Sequence, residues 1–171
     1  LSMAAYLKPH SCEFREVGIV EWLPAQVPGS VHTDLLALDR TADPFVADNE
    51  LQVQWVTERE WEYRLTFDAS VDLLAEARVF LVCDGLDTLA DLTLDGQQVG
   101  HADNAFRKHR FDVKPIVMTS GGQSELLVTF PSLMSYIAER LKKTELQSPS
   151  ESMPGGPYLR KAPCQFGWDW G

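Results

Sequence analysis

With 171 residues, the chain is long enough for one compact domain with an ordinary hydrophobic core. Its 44% hydrophobic and 23% charged residues exclude an intrinsically disordered chain, which would hold fewer apolar groups. A formal charge of −10, from 25 Asp and Glu against 15 Lys and Arg, argues against a nucleic-acid partner, because an anionic surface repels phosphate.

No apolar stretch approaches the ~20 residues of a membrane span, so no membrane partner is expected. Residues 1–7 are too short for a secretory core with a charged flank, and cytoplasmic placement is the expectation for the chain as given. The acid is concentrated: from Asp34 to Asp103 there are 16 Asp and Glu against 4 Lys and Arg, which reads as a solvated sheet face. Cys12, Cys83 and Cys164 are odd in number and widely spaced, with no CxxC pair. Neither a disulfide framework nor a metal site is suggested, no cofactor is expected, and Cys83 reads as a buried thiol.

In chain order, the first pattern is helical. Val31, Leu35 and Leu38 suggest a short helix over residues 31–38. Trp61, Tyr63, Leu65 and Phe67 then alternate with Glu62, Arg64, Thr66 and Asp68, the mark of a half-buried antiparallel strand. Residues 77–83 form a near-continuous apolar run and read as a central strand. Residues 89–94 are a further strand, and Asp95-Gly96 is a two-residue hairpin signal before residues 97–99. Another strand fits residues 106–113, and Gly121-Gly122 turns the chain into a last one over 125–130.

Ser132 is placed as the N-cap of a helix over residues 132–143, with an apolar stripe of Leu133, Ile137 and Leu141. Lys142 and Lys143 sit where the helix dipole favours cations. Residues 144–156 read as an exposed loop. Short strands with such turns predict an all-β sandwich carrying one or two short helices.

Candidate chemistry is sparse. Glu58, Glu60 and Glu62 fall at period two and are expected on one solvated strand face. His32 lies in an ordinary helix-start composition, His101 and His109 are expected at the surface, and a turn role for Asp48-Asn49 outweighs a binding one. No group is expected to be catalytic. The last residues differ from the rest. Trp168-Asp169-Trp170, bracketed by Gly167 and Gly171, supplies rings that could cover a sugar's C–H face and a carboxylate that could accept from its hydroxyls. The alternative is that the tryptophans pack at a domain boundary while Asp169 makes a loop hydrogen bond.

The run Phe166-Gly167-Trp168-Asp169-Trp170-Gly171, preceded by Arg160-Lys161-Ala162, resembles the signature of the β-mannosidases of glycoside hydrolase family 2. Val27-Pro28-Gly29-Ser30-Val31-His32-Thr33-Asp34, Asp43-Pro44-Phe45, Asp48-Asn49-Glu50 and Val53-Gln54-Trp55 follow the family's order. So do Trp61-Glu62-Tyr63-Arg64, Gly85-Leu86-Asp87-Thr88 and Asp103-Asn104-Ala105-Phe106-Arg107. The resemblance is collinear from about residue 13 to the last residue.

It implies a galactose-binding-type jelly roll spanning residues 1–171, the amino-terminal domain of a longer glycosidase. An immunoglobulin-like domain and a (β/α)8 barrel would follow it. The barrel would carry both catalytic glutamates of a retaining exo-enzyme that removes terminal β-mannose, their carboxyls about 5–5.5 Å apart. The roles that carry over by matching positions make Asp169 a ligand for mannose hydroxyls and Trp168 a wall of the pocket. The implied partners are thus a β-mannoside or mannose-terminated oligosaccharide and the barrel of the same polypeptide. Three other readings stay open: a free-standing carbohydrate-binding module, the same domain of a related exo-glucosaminidase, and a purely structural interdomain domain.

Overall fold

The computed structural model describes residues 8–147 and 156–162. Two antiparallel sheets face each other across one core. The larger has six strands in the order β2-β1-β3-β8-β5-β6, where β1 is Ser11–Glu16, β2 Leu23–Pro24, β3 Trp61–Asp68, β5 Ala90–Leu94, β6 Gln97–Ala102 and β8 Gln123–Phe130. The smaller pairs β4 (Phe80–Cys83) with β7 (His109–Asp112). The sandwich expected from the strand pattern is therefore the architecture observed.

Alternation decides the two faces of the large sheet. Register places Phe14 opposite Tyr63, Tyr63 opposite Val128 and Val128 opposite Leu92, and all four are buried in one core cluster. Their neighbours one residue along point the other way. There Arg15 pairs with Glu62 at 2.8 Å and Arg64 with Glu13 at 2.8 Å. The two guanidiniums stack on Trp22 at 4.2 and 4.1 Å from its ring centre. Acidic residues on this face are thus interleaved with cations rather than merely solvated.

Glycine sets the sheet separation at one point. A Cβ on Gly100 of β6 would lie 2.1 Å from the Phe111 ring of β7, so only hydrogen fits. The hairpin between β5 and β6 also follows its sequence. Asp95 and Gly96 both adopt positive φ, 50° and 74°, as a tight primed turn requires.

Six short helices decorate the described sandwich, more than the one or two expected. α1 (Val31–Ala37) begins at Ser30, whose hydroxyl accepts from the Thr33 amide in a capping box. α6 (Leu133–Lys143) begins at Ser132 as expected, but its stripe is shorter: Ile137 is buried while Leu141 is 37% exposed. α2 (Asn49–Gln52), α3 (Trp55–Glu58), α4 (Val71–Ala75) and α5 (Lys114–Val117) have only four or five residues each, too few for a helical period to register.

Three other expectations are corrected. Residues 77–83 do not form a central strand: β4 lies in the two-stranded sheet and Val82 is 55% exposed. Its apolar run is continuous because Leu81 and Cys83 face the core while Phe80 on the other side carries the Arg110 guanidinium at 3.6 Å. Glu58, Glu60 and Glu62 do not share a strand face, since Glu58 ends α3 and Glu62 lies in β3 against Arg15. His101 is exposed beside Asp91, but His109 is half-buried and stacked on Phe111 at 6.0 Å, with its Nε2 lacking a hydrogen-bond partner.

A buried polar contact locks α1 to the sheet. Asp34, 5% exposed, accepts from the Tyr63 hydroxyl at 2.9 Å and from the Gln26 amide at 3.0 Å. Burial, then the Asp34 carboxylate, pushes the Tyr63 phenol well above the ordinary tyrosine range. An unfolded phenol ionises near pH ~10 while this one stays protonated, so the unfolded state binds fewer protons there and stability falls as pH rises. Denaturant unfolding from neutral pH to about pH 11 checks this, with Tyr63→Phe expected to flatten the loss. Gly100→Ala is expected to destabilise the domain by about 1–3 kcal/mol at neutral pH, read from urea midpoints, because the Phe111 ring must move.

Candidate functional site

Antiparallel order sends alternate connections to opposite ends of a sandwich. Here the difference in length is large. At one end, β5 and β6 are joined by the two-residue turn at 95–96, and residues 69–79 and 113–122 make the other links. The opposite end carries the 84–89 and 103–108 connections and the chain after β8, and the long 25–60 link with α1 to α3 starts beside Cys12 and crosses over to reach it.

A strap over residues 156–162 crosses it. Leu159 is 6% exposed and packs with Leu89 and Ile137 in a small separate cluster. Tyr158 donates its hydroxyl to the Thr144 carbonyl at 2.6 Å and accepts from the Leu146 amide at 2.8 Å. Asn104 and Arg160 form a one-residue parallel bridge, and the Ala105 amide donates to the Arg160 carbonyl at 2.9 Å. Next along, the Lys161 ammonium lies 3.3 Å from each carboxylate oxygen of Asp87. The Lys161 side chain is 16% exposed and that of Asp87 35%, so solvent screens this pair less than a surface one.

His32, in the first turn of α1, completes the constellation. Burial, and after it the Lys161 charge, holds its imidazole below the ordinary histidine range. It is therefore neutral at pH 7, able to donate from one ring nitrogen and accept at the other.

Leu35, one turn further along α1, lines a separate groove of about 240 Å³ with Trp55, Trp61, Ile19, Glu21 and Arg40. The groove includes no strap residue. Its charged groups are already engaged, with Glu16 3.4 Å from Arg59 and Glu21 3.9 Å from Arg40. Little polar capacity is left there for a ligand.

The residues expected to touch sugar, Trp168 and Asp169, lie outside the described residues. Asn49 holds a turn role: its Nδ2 donates to the Asp43 carbonyl at 3.0 Å. Among the described residues no three His, Cys, Asp or Glu side chains converge as metal ligands. Cys12 and Cys83 are free thiols held protonated by burial, each with a nearby aspartate adding to the effect. Asp87 and Lys161 stand out in the sequence only as parts of longer motifs. They are 74 positions apart, and no local spacing links them.

Residues 12–171 match the family described as "Glycosyl hydrolase 2 galactose-binding domain-like". The chain belongs to this family. It is 36% identical over 154 residues to β-mannosidase B of Aspergillus clavatus, covering 88% of this chain and 18% of that protein. It is 38% identical over 168 residues to β-mannosidase B of Thermothelomyces thermophilus, covering 93% and 19%. The chain thus spans under a fifth of the curated relatives it matches. The crystal structure of a β-D-mannosidase from Dictyoglomus thermophilum superposes with a TM-score of 0.90 at 35% identity, over 99% of this chain and 21% of that one. The exo-chitosanase CsxA of Amycolatopsis orientalis shares the fold at a TM-score of 0.60 and 20% identity, over 72% of this chain and 16% of that one.

An NMR titration tests the electrostatics of the site. The His32 midpoint is expected below that of an ordinary histidine, and Lys161→Met is expected to move it upward without restoring it fully, since burial remains.

Proposed function

We propose that this chain is the amino-terminal domain of a retaining exo-β-mannosidase, to which it contributes a sugar-contacting segment and a scaffold but no catalytic carboxylate. The observation that carries the reading is the match to β-mannosidases at 35–38% identity over nearly the whole chain, together with the Trp168-Asp169 pair in its sequence. The immunoglobulin-like domain and the (β/α)8 barrel complete the enzyme in this reading. A terminal β-mannoside is the substrate.

Asp169 lies eight residues after Lys161, so its backbone can be no more than about 29 Å from that anchor. In this reading its carboxylate accepts hydroxyl hydrogens of the terminal mannose, while the Trp168 ring covers an apolar wall of the pocket. Selectivity then follows from buried polar groups, because an epimer with a misplaced hydroxyl leaves the carboxylate unpaired. Mannoside is favoured over glucosaminide as substrate because the exo-chitosanase likeness, at 20% identity, extends to the fold alone.

Retaining hydrolysis needs two carboxyls held about 5–5.5 Å apart on a rigid frame, one as nucleophile and one as acid and base. Among the acidic residues of the described sandwich, Glu62, Glu13 and Asp87 are each paired with a cation, and Asp34 is hydrogen-bonded to Tyr63. The 171-residue chain alone is therefore expected to leave an aryl β-mannoside intact.

In the full-length enzyme, Asp169→Asn is expected to lower kcat/KM on that substrate by about 10- to 150-fold, the worth of a hydrogen bond to a charged group. The melting temperature is expected to hold. Unchanged kinetics, or hydrolysis by the isolated domain after thorough purification, would remove the basis for the reading.

A further inference from the structure

Apolar side chains scattered singly over a surface need no explanation, but several gathered around one groove do. The groove of about 240 Å³ beside α1 has such a margin. Leu35, Trp55 and Trp61 line it, and exposed Ile19 borders it with exposed Val20 next along the chain. Arg40 and Trp55 are both lining residues, so residues 43–51 leave from the groove's margin and return to it. That segment carries Phe45, which is 94% exposed, and the exposed Val46 and Leu51.

The segment is braced around these side chains. The Asp43 carboxylate accepts from the Phe45 amide at 2.9 Å. The Asp43 carbonyl accepts from the Asn49 side chain at 3.0 Å and from the Val46 amide at 3.2 Å. Ala47 takes a left-handed φ of 53°, which alanine adopts only where its surroundings enforce it. Buried Val53 and Val56 anchor the chain just beyond. A slack loop would lay a phenylalanine against the nearest apolar surface, whereas this one keeps the ring in water.

Charge narrows what can cover such a surface. Arg15 and Arg40 against Glu16 and Glu21 leave the groove neutral in a chain of −10. Each is already paired on the domain itself: Arg15 with Glu62, Arg40 with Glu21 and Glu16 with Arg59. An apolar protein surface therefore meets no unpaired charge there. A second copy is the poorer occupant, because two bodies of −10 repel each other. The remainder of a longer polypeptide is the better one. This chain spans only 18–21% of the β-mannosidases it matches, and a tethered surface acts as if present at about millimolar concentration. The groove also lies beside the chain after β8: Ser132, which caps α6, donates its hydroxyl to the Thr57 carbonyl of α3 at 3.5 Å.

We infer that this groove and the Phe45 segment are the docking surface for the (β/α)8 barrel of the same polypeptide, with Phe45 as the apolar anchor. The inference rests on the reading of this chain as the amino-terminal domain of a longer glycosidase. It adds the place on the domain where the barrel is seated.

The test compares melting temperatures of the full-length enzyme and its variants. Phe45→Ser and Leu51→Ser are each expected to lower the melting temperature by about 2–4 °C, because each deletes a buried interface contact. Val71→Ser is the control: Val71 is 82% exposed in α4, in the 69–79 link at the other end of the sandwich, and no shift is expected. No shift at 45 and 51, or an equal shift at 71, overturns the inference.

In the 171-residue chain alone, Phe45→Ser is expected to leave the urea midpoint unchanged, since a side chain in water has no contact to lose. A lowered midpoint there makes the segment a brace of its own domain and overturns the inference. So does sedimentation of the 171-residue chain as a dimer that Phe45→Ser disperses, which makes a second copy the occupant. A flat thermal series alongside a crippled Asp169→Asn overturns this inference alone. Full activity in Asp169→Asn overturns the sugar-contact reading, while the thermal contrast between positions 45 and 71 still reports docking.

Discussion

Leu159 sits 6% exposed between Leu89 of the β4–β5 connection and Ile137 of α6, and the usefulness of the rim depends on that burial. Burying a leucine is worth about 1.5–3 kcal/mol. Without it, the strap would hang from Tyr158 and a single backbone bridge, and the Lys161–Asp87 pair would need to order the chain unaided. Pairs of this kind do not do that well, because the entropy of holding two side chains in one geometry offsets most of the Coulomb gain. With the leucine in place the strap is already confined, and a modest electrostatic term adds to what holds it. Apolar burial confines the strap, and the polar contacts of Tyr158, Arg160 and Lys161 select its seating.

The same division of labour runs through the sandwich. Phe14, Tyr63, Leu92 and Val128 hold the large sheet to the small one without directional preference. Direction comes from buried or half-buried polar contacts: Asp34 with Tyr63 fixes α1 against β3, and Arg15 with Glu62 links β1 to β3. Because α1 carries His32 towards the strap and Leu35 towards the groove, the Asp34 contact also registers the two faces of the rim against each other. A carboxylate that looked like one of many in an acidic stretch thus has a buried structural task, while Glu62 on the sheet surface has a half-buried one.

Much of this was legible in the sequence, for identifiable reasons. The alternation from Trp61 to Asp68, the Asp95-Gly96 turn, the paired glycines before β8 and the Ser132 cap are local signals, and each forms where it was expected. The strand at 77–83 was misplaced because an apolar run states that both faces are covered, not by what; here one face is covered by an arginine. The period-two glutamates misled because a one-turn helix ending at Glu58 abuts a strand beginning at Trp61, and the spacing crosses the boundary unbroken. Lys161 and Asp87 could not be found by spacing at all. Their proximity is made by the return of the chain across the rim, a tertiary fact.

On the proposed reading, this arrangement also explains why a sandwich is a suitable carrier for a pocket ligand. A carboxylate on a free loop must be ordered each time substrate binds, and that ordering subtracts from affinity and from rate alike. A preceding strap that is plugged and bridged before substrate arrives has met part of that cost during folding. The two-stranded sheet, the glycine beneath Phe111 and the strong asymmetry between the ends of the sandwich then belong to one design. They make a rigid body with its longer connections gathered at one end, across which the strap of residues 156–162 is seated.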